Sequence, residues 1–306
     1  MQTTLKSSVT FEGVGLHAGL PATMVVRPAL AGDGIVFRRM DIAGEAGRLP
    51  ALWDMVEVSP LNTRLRNNAG TTISTIEHLM AAFSGCGIHN AYIELEGPEV
   101  PIMDGSAAAF VREFVGVGLV HLGTSLRAIE ILKEVSVHDG DSFAMLSPAT
   151  TLQIAFDIDF VDKAIGVQRK VLNMANGAFV RELCDSRTFC RASDVEMMRA
   201  NGLALGGTME NAVVVDGDQV LSPGGLRHTD EAVRHKMLDA LGDLYTAGGP
   251  ILGRYTGHKA GHALTNKVLR KLFAQPDAWR WVECDHKIAA RLPGVGVSSA
   301  DLAAVA

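Results

Sequence analysis

The stretch that decides the fold is residues 230–245, DEAVRHKMLDALGDLY. Its apolar side chains recur every three or four residues, which is the period of an α-helix with one buried face. Acidic residues occupy the first turn, Thr229 precedes it as a candidate N-cap, and Gly-Gly-Pro follows at 248–250. We therefore predict a helix over about 230–247, with a buried stripe of Val233, Met237, Leu238, Leu241, Leu244 and Tyr245.

The other face of this helix carries four ionisable side chains, His235, Lys236, Asp239 and Asp243. At about 100° per residue they lie opposite the apolar stripe. His235 and Asp239 are one turn apart, so both can reach the same point, and a helix would hold them in register for a divalent metal. The alternative is a solvated charged face with an ordinary His–Asp pair at i,i+4.

A second helix is predicted over about 75–84, with a buried stripe of Ile76, Leu79, Met80 and Phe83. Glu77 and His78 lie about 100° and about 200° from the start of this stripe, so neither belongs to it. Ser74 and Glu77 also match a capping box, in which the Glu side chain bonds the Ser backbone N–H. For Glu77, capping and chemistry therefore remain open alternatives.

Two helices, each with a histidine outside its apolar stripe, could together supply His78, His235 and Asp239. Three nitrogen or oxygen ligands and an open position define a catalytic zinc site. The four cysteines form no C-x-x-C pair, and no H-E-x-x-H motif occurs. The pattern therefore favours a catalytic metal site over a structural one.

Residues 257–264, GHKAGHAL, lie at the start of a third predicted helix, over about 261–273. A histidine in a first turn feels the positive end of the helix dipole, which disfavours the imidazolium form of His262. A neighbouring carboxylate reverses this effect, and Asp243 is the candidate. Taken alone, however, His258 and His262 are more typical of ordinary loop histidines.

Composition excludes several classes of protein. The 306 residues carry a net charge of −6, and 47% are hydrophobic, which excludes a disordered or low-complexity chain and argues against a general nucleic-acid binder. No apolar run reaches the roughly 18 residues of a membrane span, and the N-terminus lacks the apolar stretch of a signal peptide. We expect a cytoplasmic enzyme that binds no nucleic acid, has no transmembrane segment and is a monomer.

The order of the elements predicts an α+β fold. Strand-like runs precede the helices in each half, and the pattern restarts near residues 123–125. We predict two similar domains, 1–124 and 125–306, each a β-sheet packed with helices. After about residue 276 the chain shows no regular pattern, and we expect a C-terminal tail there.

Seven ordered motifs give the chain a family resemblance. They are GVGLHAG at 13–19, STIEHLM at 74–80, PIMDGSAA at 101–108, SRTF at 186–189, GLALGG at 202–207, VRHKMLD at 233–239 and GHAL at 261–264. The chain resembles the UDP-3-O-acyl-N-acetylglucosamine deacetylases, zinc amidases of lipid A biosynthesis in Gram-negative bacteria. The resemblance implies an active site between the two domains. It also implies one small insert per domain, at about 47–66 and 190–215, the second helping to form a passage for the acyl chain.

The resemblance also implies roles for individual residues. The metal, zinc or else ferrous iron, would be held by His78, His235 and Asp239. Glu77 would take a proton from the attacking water, and His262, kept protonated by Asp243, would protonate the leaving amine. Two further residues would support the tetrahedral intermediate, namely Thr188 and Lys236.

For the substrate, an acylated UDP-amino sugar, the resemblance implies two groups of contacts. The nucleotide end would meet Phe160, Asp159 and Lys259. The apolar path for the fatty chain would include Leu61, Leu203 and Ala204. The expected products are acetate and a UDP-3-O-acyl-glucosamine.

The sequence departs from the family pattern at Pro60, Asp162, Lys163, Cys190 and Arg191. None of these is an expected metal ligand or proton-transfer residue, so they bear on acyl-chain preference and rate. Two alternatives stay open. One is a non-catalytic acyl-nucleotide binding protein that kept the fold, and the other is a deacetylase specialised for a different acylated nucleotide sugar.

Overall fold

The structure is a computed structural model that describes residues 1–59 and 61–304, with side chains as far as Asp301. Pro60, one of the departures from the family pattern, therefore lies outside the described residues. Within the described part of the chain, no helix has both the length and the apolar character that crossing a membrane requires.

Short strands and helices alternate along the chain. The first half contains β1 (Thr3–Leu5), β2 (Val9–Val14), β3 (Pro21–Pro28), β4 (Ile35–Arg39), a 3-10 turn (Gly44–Gly47), β5 (Arg48–Pro50), β6 (Val56–Glu57), β7 (Arg64–Arg66), β8 (Thr72–Ile73), α1 (Glu77–Cys86), β9 (Ala91–Glu96), α2 (Ala108–Val117) and β10 (Leu119–His121). The second half begins with β11 (Arg127–Ile131), β12 (Val135–Asp139), β13 (Ser142–Ser147), β14 (Gln153–Asp159), β15 (Val167–Asn173), α3 (Ala178–Glu182), β16 (Phe189–Arg191) and α4 (Ala192–Ala200). It continues with β17 (Val213–Asp216), β18 (Gln219–Val220), α5 (Glu231–Tyr245), β19 (Ile251–Leu252), β20 (Arg254–His258), α6 (His262–Phe273), β21 (Trp279–Glu283), α7 (His286–Ala289) and a 3-10 turn (Ser299–Ala304).

Each half contains a five-stranded sheet with the same topology. The strand orders are β2-β3-β9-β4-β5 and β12-β13-β20-β14-β15. In each sheet only one neighbouring pair is parallel, β9 with β4 and β20 with β14, and the other pairs are antiparallel. The match in order and direction confirms the predicted α+β fold, in which one architecture is used twice.

The sheets form because their strands alternate between buried and accessible side chains. This period of two places every second residue on the face that packs against the core. On β3 and β9, for example, the buried residues are Ala22, Met24, Val26, Ala91, Ile93 and Leu95. The helices cover these apolar faces, and one continuous hydrophobic core extends through both halves.

A smaller three-stranded sheet accompanies each half, β6-β7-β8 in the first and β16-β17-β18 in the second. Helix α4 follows β16 directly and has no buried residue along its length. The two small sheets overlap the expected inserts at 47–66 and 190–215. The domain and insert boundaries themselves stay predictions.

Helices α1 and α5 pack against each other at the centre of the molecule. All ten residues of α1 are buried, as expected for a helix enclosed on every side. The predicted apolar stripe of α5 is buried, which confirms the helical periodicity. Its opposite face is buried as well, including His235, Asp239 and Asp243, so the interpretation as a solvated charged face is wrong.

Gly242 sets the distance between these two helices. A Cβ atom at this position would lie 1.9 Å from the backbone oxygen of Glu77 and 3.0 Å from the backbone nitrogen of Ala81. Any larger residue would therefore overlap the backbone of α1. The absence of a side chain at Gly242 lets α5 approach α1 closely enough for their polar side chains to meet.

The segment after Pro276 is not an irregular tail. Strand β21 pairs antiparallel with β11, and β19 lies on the other side of β11. The ring of Trp279 lies 4.9 Å from that of Phe273 in an edge-to-face contact. Because the strand partner is about 150 residues earlier in the chain, local periodicity could not reveal this pairing.

The predicted N-cap at Thr229 is wrong. Helix α5 has Asp230 as its N-cap residue, and the Asp230 side chain makes no capping hydrogen bond. Its carboxylate instead pairs with Lys170, at 2.9 Å, and with Arg234, at 2.5 Å. These two cations engage the carboxylate that would otherwise cap the first turn.

We predict that Gly242→Ala destabilises the protein by about 1–3 kcal/mol, because α1 and α5 must separate to admit the methyl group. Urea unfolding measures this change. Gly116→Ala in α2 is the matched control, since no described atom outside its chain neighbours and its own helix backbone lies within 4 Å of the added Cβ. The control should be neutral or stabilising, as alanine favours helix over glycine by up to about 1 kcal/mol. Wild-type stability in Gly242→Ala would contradict the close approach.

Candidate metal centre and active site

The crossing of α1 and α5 brings the three candidate metal ligands together. The Nε2 atoms of His235 and His78 lie 3.2 Å and 3.6 Å from Oδ1 of Asp239. One ligand atom from each of the three residues lies within 4.8 Å of the others, and all three residues are buried. The two histidines, which are far apart in the chain, thus lie together with Asp239, as the sequence analysis expects.

The donor set fits a divalent cation such as zinc. Zinc ligands about 2.0–2.1 Å from a tetrahedral ion lie roughly 3.3 Å from each other, close to the separations between Asp239 and the two histidines. Oδ1 of Asp239 is buried and accepts no hydrogen bond. An unpartnered buried carboxylate oxygen beside two imidazole nitrogens is the arrangement that a cation would complete.

The second oxygen of Asp239 and the second ring nitrogen of His235 make hydrogen bonds within the protein. Oδ2 of Asp239 accepts from Nζ of Lys236 at 2.6 Å. Burial opposes ionisation of Asp239, but His235 and Lys236 outweigh it and lower the pKa of this carboxyl well below its usual range. Nδ1 of His235 lies 3.0 Å from the carbonyl oxygen of Ser186, which places the proton on Nδ1 and leaves Nε2 free to coordinate.

Burial also prepares His78 as a ligand. It lowers the pKa of His78 and outweighs the opposing effect of Asp239, so the ring is neutral at neutral pH. Only a neutral imidazole has a lone pair for a metal. The rings of His78 and His235 meet edge to face, with their centroids 4.9 Å apart.

Glu77 lies beside this cluster and does not form the capping box that was one of its two alternatives. Its Oε2 accepts the backbone N–H of Thr63 at 3.0 Å, while the N–H of Ser74 donates to Pro98. Glu77 is 3% exposed, and burial raises the pKa of its carboxyl to about 8. A bound divalent cation would pull this pKa back down, since it would be the largest charge nearby.

His262 faces Glu77 and pairs with Asp243, as the sequence predicts. Nδ1 of His262 lies 2.9 Å from Oδ2 of Asp243, and its Nε2 lies 3.9 Å from Oε1 of Glu77. Burial favours the neutral ring, but Asp243 and Glu77 outweigh it and raise the pKa of His262 to about 9. The carboxylates thus also overcome the unfavourable dipole at the first residue of α6.

These groups open into a cavity of about 620 Å³, a size suited to a small-molecule ligand. It is lined by the metal-site residues, by Glu77 and His262, and by the predicted residues Leu61, Phe160, Thr188, Leu203 and Lys236. Burial lowers the pKa of Lys236, but Asp239 outweighs it and the net shift is upward, so this side chain is a cation. The cavity wall therefore combines carboxyl groups, imidazoles and an ammonium group.

A second cavity of about 440 Å³ adjoins the first. It shares Leu61, Thr188 and Phe189 with the first cavity and extends past Ala204. Helix α4 contributes lining residues to both. The predicted acyl-contact residues are thus brought together, with Leu61 lining both cavities.

Asp159 and Lys259 are also brought together, but not in either cavity wall. Nζ of Lys259 lies 3.1 Å from Oδ2 of Asp159 and 2.9 Å from Oδ2 of Asp141. Neither residue is among those that line the two cavities. Of the three residues predicted to contact the nucleotide, Phe160 therefore lines the cavity, whereas Asp159 and Lys259 form an ion pair outside it.

The comparisons with known proteins agree with this site. A sequence profile of the family described as LpxC, UDP-3-O-acyl N-acetylglycosamine deacetylase, matches residues 2–274. The chain belongs to this deacetylase family. Three relatives named UDP-3-O-acyl-N-acetylglucosamine deacetylase come from Phenylobacterium zucineum, Shewanella frigidimarina and Shewanella pealeana. They are 50%, 46% and 44% identical, over 91%, 96% and 97% of this chain and 95%, 97% and 98% of their own lengths.

Two of the residues that the sequence analysis takes as departures from the family pattern contact each other. Nε of Arg191 lies 2.5 Å from Oδ2 of Asp162, and Oδ1 of Asp162 accepts the backbone N–H of Gly217. Arg191 and Cys190 both line the catalytic cavity, whereas Lys163 is exposed. In the sequence, Arg191 and Asp162 are two separate departures. In the structure, they form one ion pair, and Arg191 lines the cavity.

Sequence reasoning missed two residues of this site. The carbonyl oxygen of Ser186 orients His235. Ser186 belongs to the SRTF motif, and only that motif could have pointed to this residue from the sequence. Thr63 contacts both Glu77 and Asp243, but a single threonine in a loop carries no periodicity or motif. Its role depends on contacts that only the folded chain creates.

We predict that His78→Ala lowers zinc affinity more than tenfold, because one of three protein ligands is lost. Zinc retained after dialysis against a chelator, measured per protein chain, checks this. His121→Ala, at an exposed histidine of β10, is the control and should retain zinc as the wild type does. Undiminished zinc in His78→Ala would remove His78 from the ligand set.

Proposed function

We propose that this protein hydrolyses the N-acetyl group of UDP-3-O-acyl-N-acetylglucosamine, giving acetate and UDP-3-O-acyl-glucosamine, the committed step of lipid A biosynthesis. One observation carries the proposal. The buried cluster of His78, His235 and Asp239 lies beside the buried Glu77 and the partly buried His262, a pair that can exchange protons. The substrate comes from the names of the relatives, which are 44–50% identical to this chain over nearly its full length.

His78, His235 and Asp239 are the residues that would hold the cation. Two imidazoles and a carboxylate suit zinc, and ferrous iron is the alternative that binds a similar set. When bound, such a cation acts as a Lewis acid that polarises the amide carbonyl and lowers the pKa of water. Lys236 and Ser186 would hold Asp239 and His235 in place, through the contacts described above.

Glu77 is the proposed general base. Its buried carboxylate would take a proton from the attacking water as the water oxygen bonds to the acetyl carbon. One oxygen of Glu77 is fixed by the N–H of Thr63, so the other, Oε1, is the one directed towards His262 and the cavity. The base is thus held in one orientation before the substrate binds.

His262 is the proposed general acid. Its upward-shifted pKa keeps the ring protonated at neutral pH, so it can donate a proton to the sugar nitrogen as the C–N bond breaks. Asp243 holds the Nδ1 side of the ring, which turns Nε2 towards the reacting groups. Thr188 and Lys236 line the same cavity and would stabilise the negative charge on the tetrahedral carbon's oxygen.

Different parts of the substrate would occupy different regions of the two cavities. The second cavity, beside Leu61 and Ala204, with Leu203 at the neighbouring cavity, would take the fatty acyl chain. Phe160 would pack against the nucleotide, and Lys259 with Asp159 would meet its polar end. Zinc as the native cation, the cytoplasmic location and the monomeric state stay predictions.

The direct test is metal-dependent release of acetate from the purified nucleotide sugar. In this assay Glu77→Ala should lower turnover on the order of 100-fold or more, because the general base is lost, while zinc content is unchanged. Glu113→Ala, at an exposed glutamate of α2, is the control and should turn over normally. Tight substrate binding without turnover by the zinc-loaded wild type would instead favour a binding protein.

The pH profile tests the pairing of His262 with Asp243. We expect a bell-shaped profile, in which activity falls at alkaline pH as His262 loses its proton. Asp243 raises the pKa of His262, so Asp243→Asn should lower that pKa and move the alkaline limb about 1–2 units towards lower pH. An alkaline limb at the same pH in Asp243→Asn, or no such limb in the wild type, would reject His262 as the acid.

A further inference from the structure

We propose that Thr63 is a positioning residue that holds the base Glu77 and the Asp243–His262 pair in register with each other. The inference rests on the proposed function, since it concerns the same acid and base. Thr63 lies in the first half of the chain, just before β7, and is 3% exposed. It is the described residue that donates hydrogen bonds to both carboxylates.

Thr63 uses a different group for each carboxylate. Its backbone N–H donates to Oε2 of Glu77 at 3.0 Å, and its hydroxyl donates to Oδ1 of Asp243. Each carboxylate therefore has one oxygen bound by Thr63 and the other directed at His262. To rotate, either carboxylate must break a buried charge-assisted hydrogen bond, which is costly.

Thr63 can act as a fixed point because its own backbone is anchored. Its carbonyl accepts the N–H of Ile76, the residue before α1. The preceding Asn62 donates through Nδ2 to the hydroxyl of Thr75 at 3.1 Å, and Thr75 in turn donates to Glu99 at 2.6 Å. This chain of buried bonds ties the loop before β7 to the start of α1, which carries Glu77.

The contact with Asp243 joins the two halves of the molecule. Asp243 lies on α5 and His262 on α6, whereas Thr63 and Glu77 belong to the first half. The spacing between the acid and the base is therefore set by one residue as well as by helix packing. The hydroxyl matters for Asp243 alone, because the bond to Glu77 comes from the backbone.

This division of roles defines the variants. Thr63→Val keeps the shape and the backbone N–H but removes the hydroxyl, so only the bond to Asp243 is lost. Thr63→Ser keeps the hydroxyl and is the conservative rescue. Thr71→Val, at another buried threonine of the first half, is the matched control.

We expect Thr63→Val to lower kcat about tenfold or more, with KM and zinc content unchanged, since a hydrogen bond to a charged group is lost. Thr63→Ser should recover most of the activity, and Thr71→Val should match the wild type. In an Asp243→Ala background, Thr63→Val should cost no further activity, because the partner of the hydroxyl is already absent. A merely structural role would give additive losses.

A second readout does not depend on turnover. In the zinc-loaded full-length protein, the Nδ1–H proton of His262, assigned by its loss in His262→Ala, should exchange with water about tenfold faster in Thr63→Val. Wild-type exchange and wild-type kcat in Thr63→Val would overturn the inference. If the wild type releases no acetate, the proposed function fails while proton exchange still decides the role of Thr63. Should Thr63→Val not fold, Thr63→Ala is measured in its place.

Discussion

The close packing of α1 against α5 is the constraint on which the rest of the structure depends. Gly242 has no side chain where the backbone oxygen of Glu77 approaches, so the backbones of the two helices can pack closely against each other. One helix comes from each half of the chain, and each contributes residues to the candidate metal centre. The three candidate ligands can therefore share a cation only if the two halves are docked in this arrangement.

The second consequence of this packing is that charged groups are buried in pairs. Glu77, Asp239, Asp243 and His235 are each no more than 5% exposed. An isolated buried charge is very unfavourable, and each carboxylate is offset by an imidazole, an ammonium or a hydrogen-bond donor. Oδ1 of Asp239 is a buried carboxylate oxygen of this cluster without such a donor, and it faces the two histidine nitrogens. That exception marks the candidate position for a metal.

The helical periodicity of the sequence predicted α1, α5 and α6, and it separated the ionisable residues from the apolar stripes. It could not predict that the ionisable face of α5 is buried, because that depends on α1 and α6 packing over it. The capping box at Ser74 failed for a similar reason, since the N–H of Thr63 takes the oxygen of Glu77 that a cap would use. Strand β21 was missed because its partner β11 is distant in sequence. The expected substrate was inferred from the family resemblance, because no residue pattern by itself indicates it.

The most direct test of the shared metal centre is a crystal structure of the zinc-loaded protein with anomalous differences measured at the zinc absorption edge. We expect one ion, with Nε2 of His78, Nε2 of His235 and Oδ1 of Asp239 each about 2.0–2.2 Å away. An ion held elsewhere, or one that lacks either histidine as a ligand, would contradict the claim that α1 and α5 build a single metal centre.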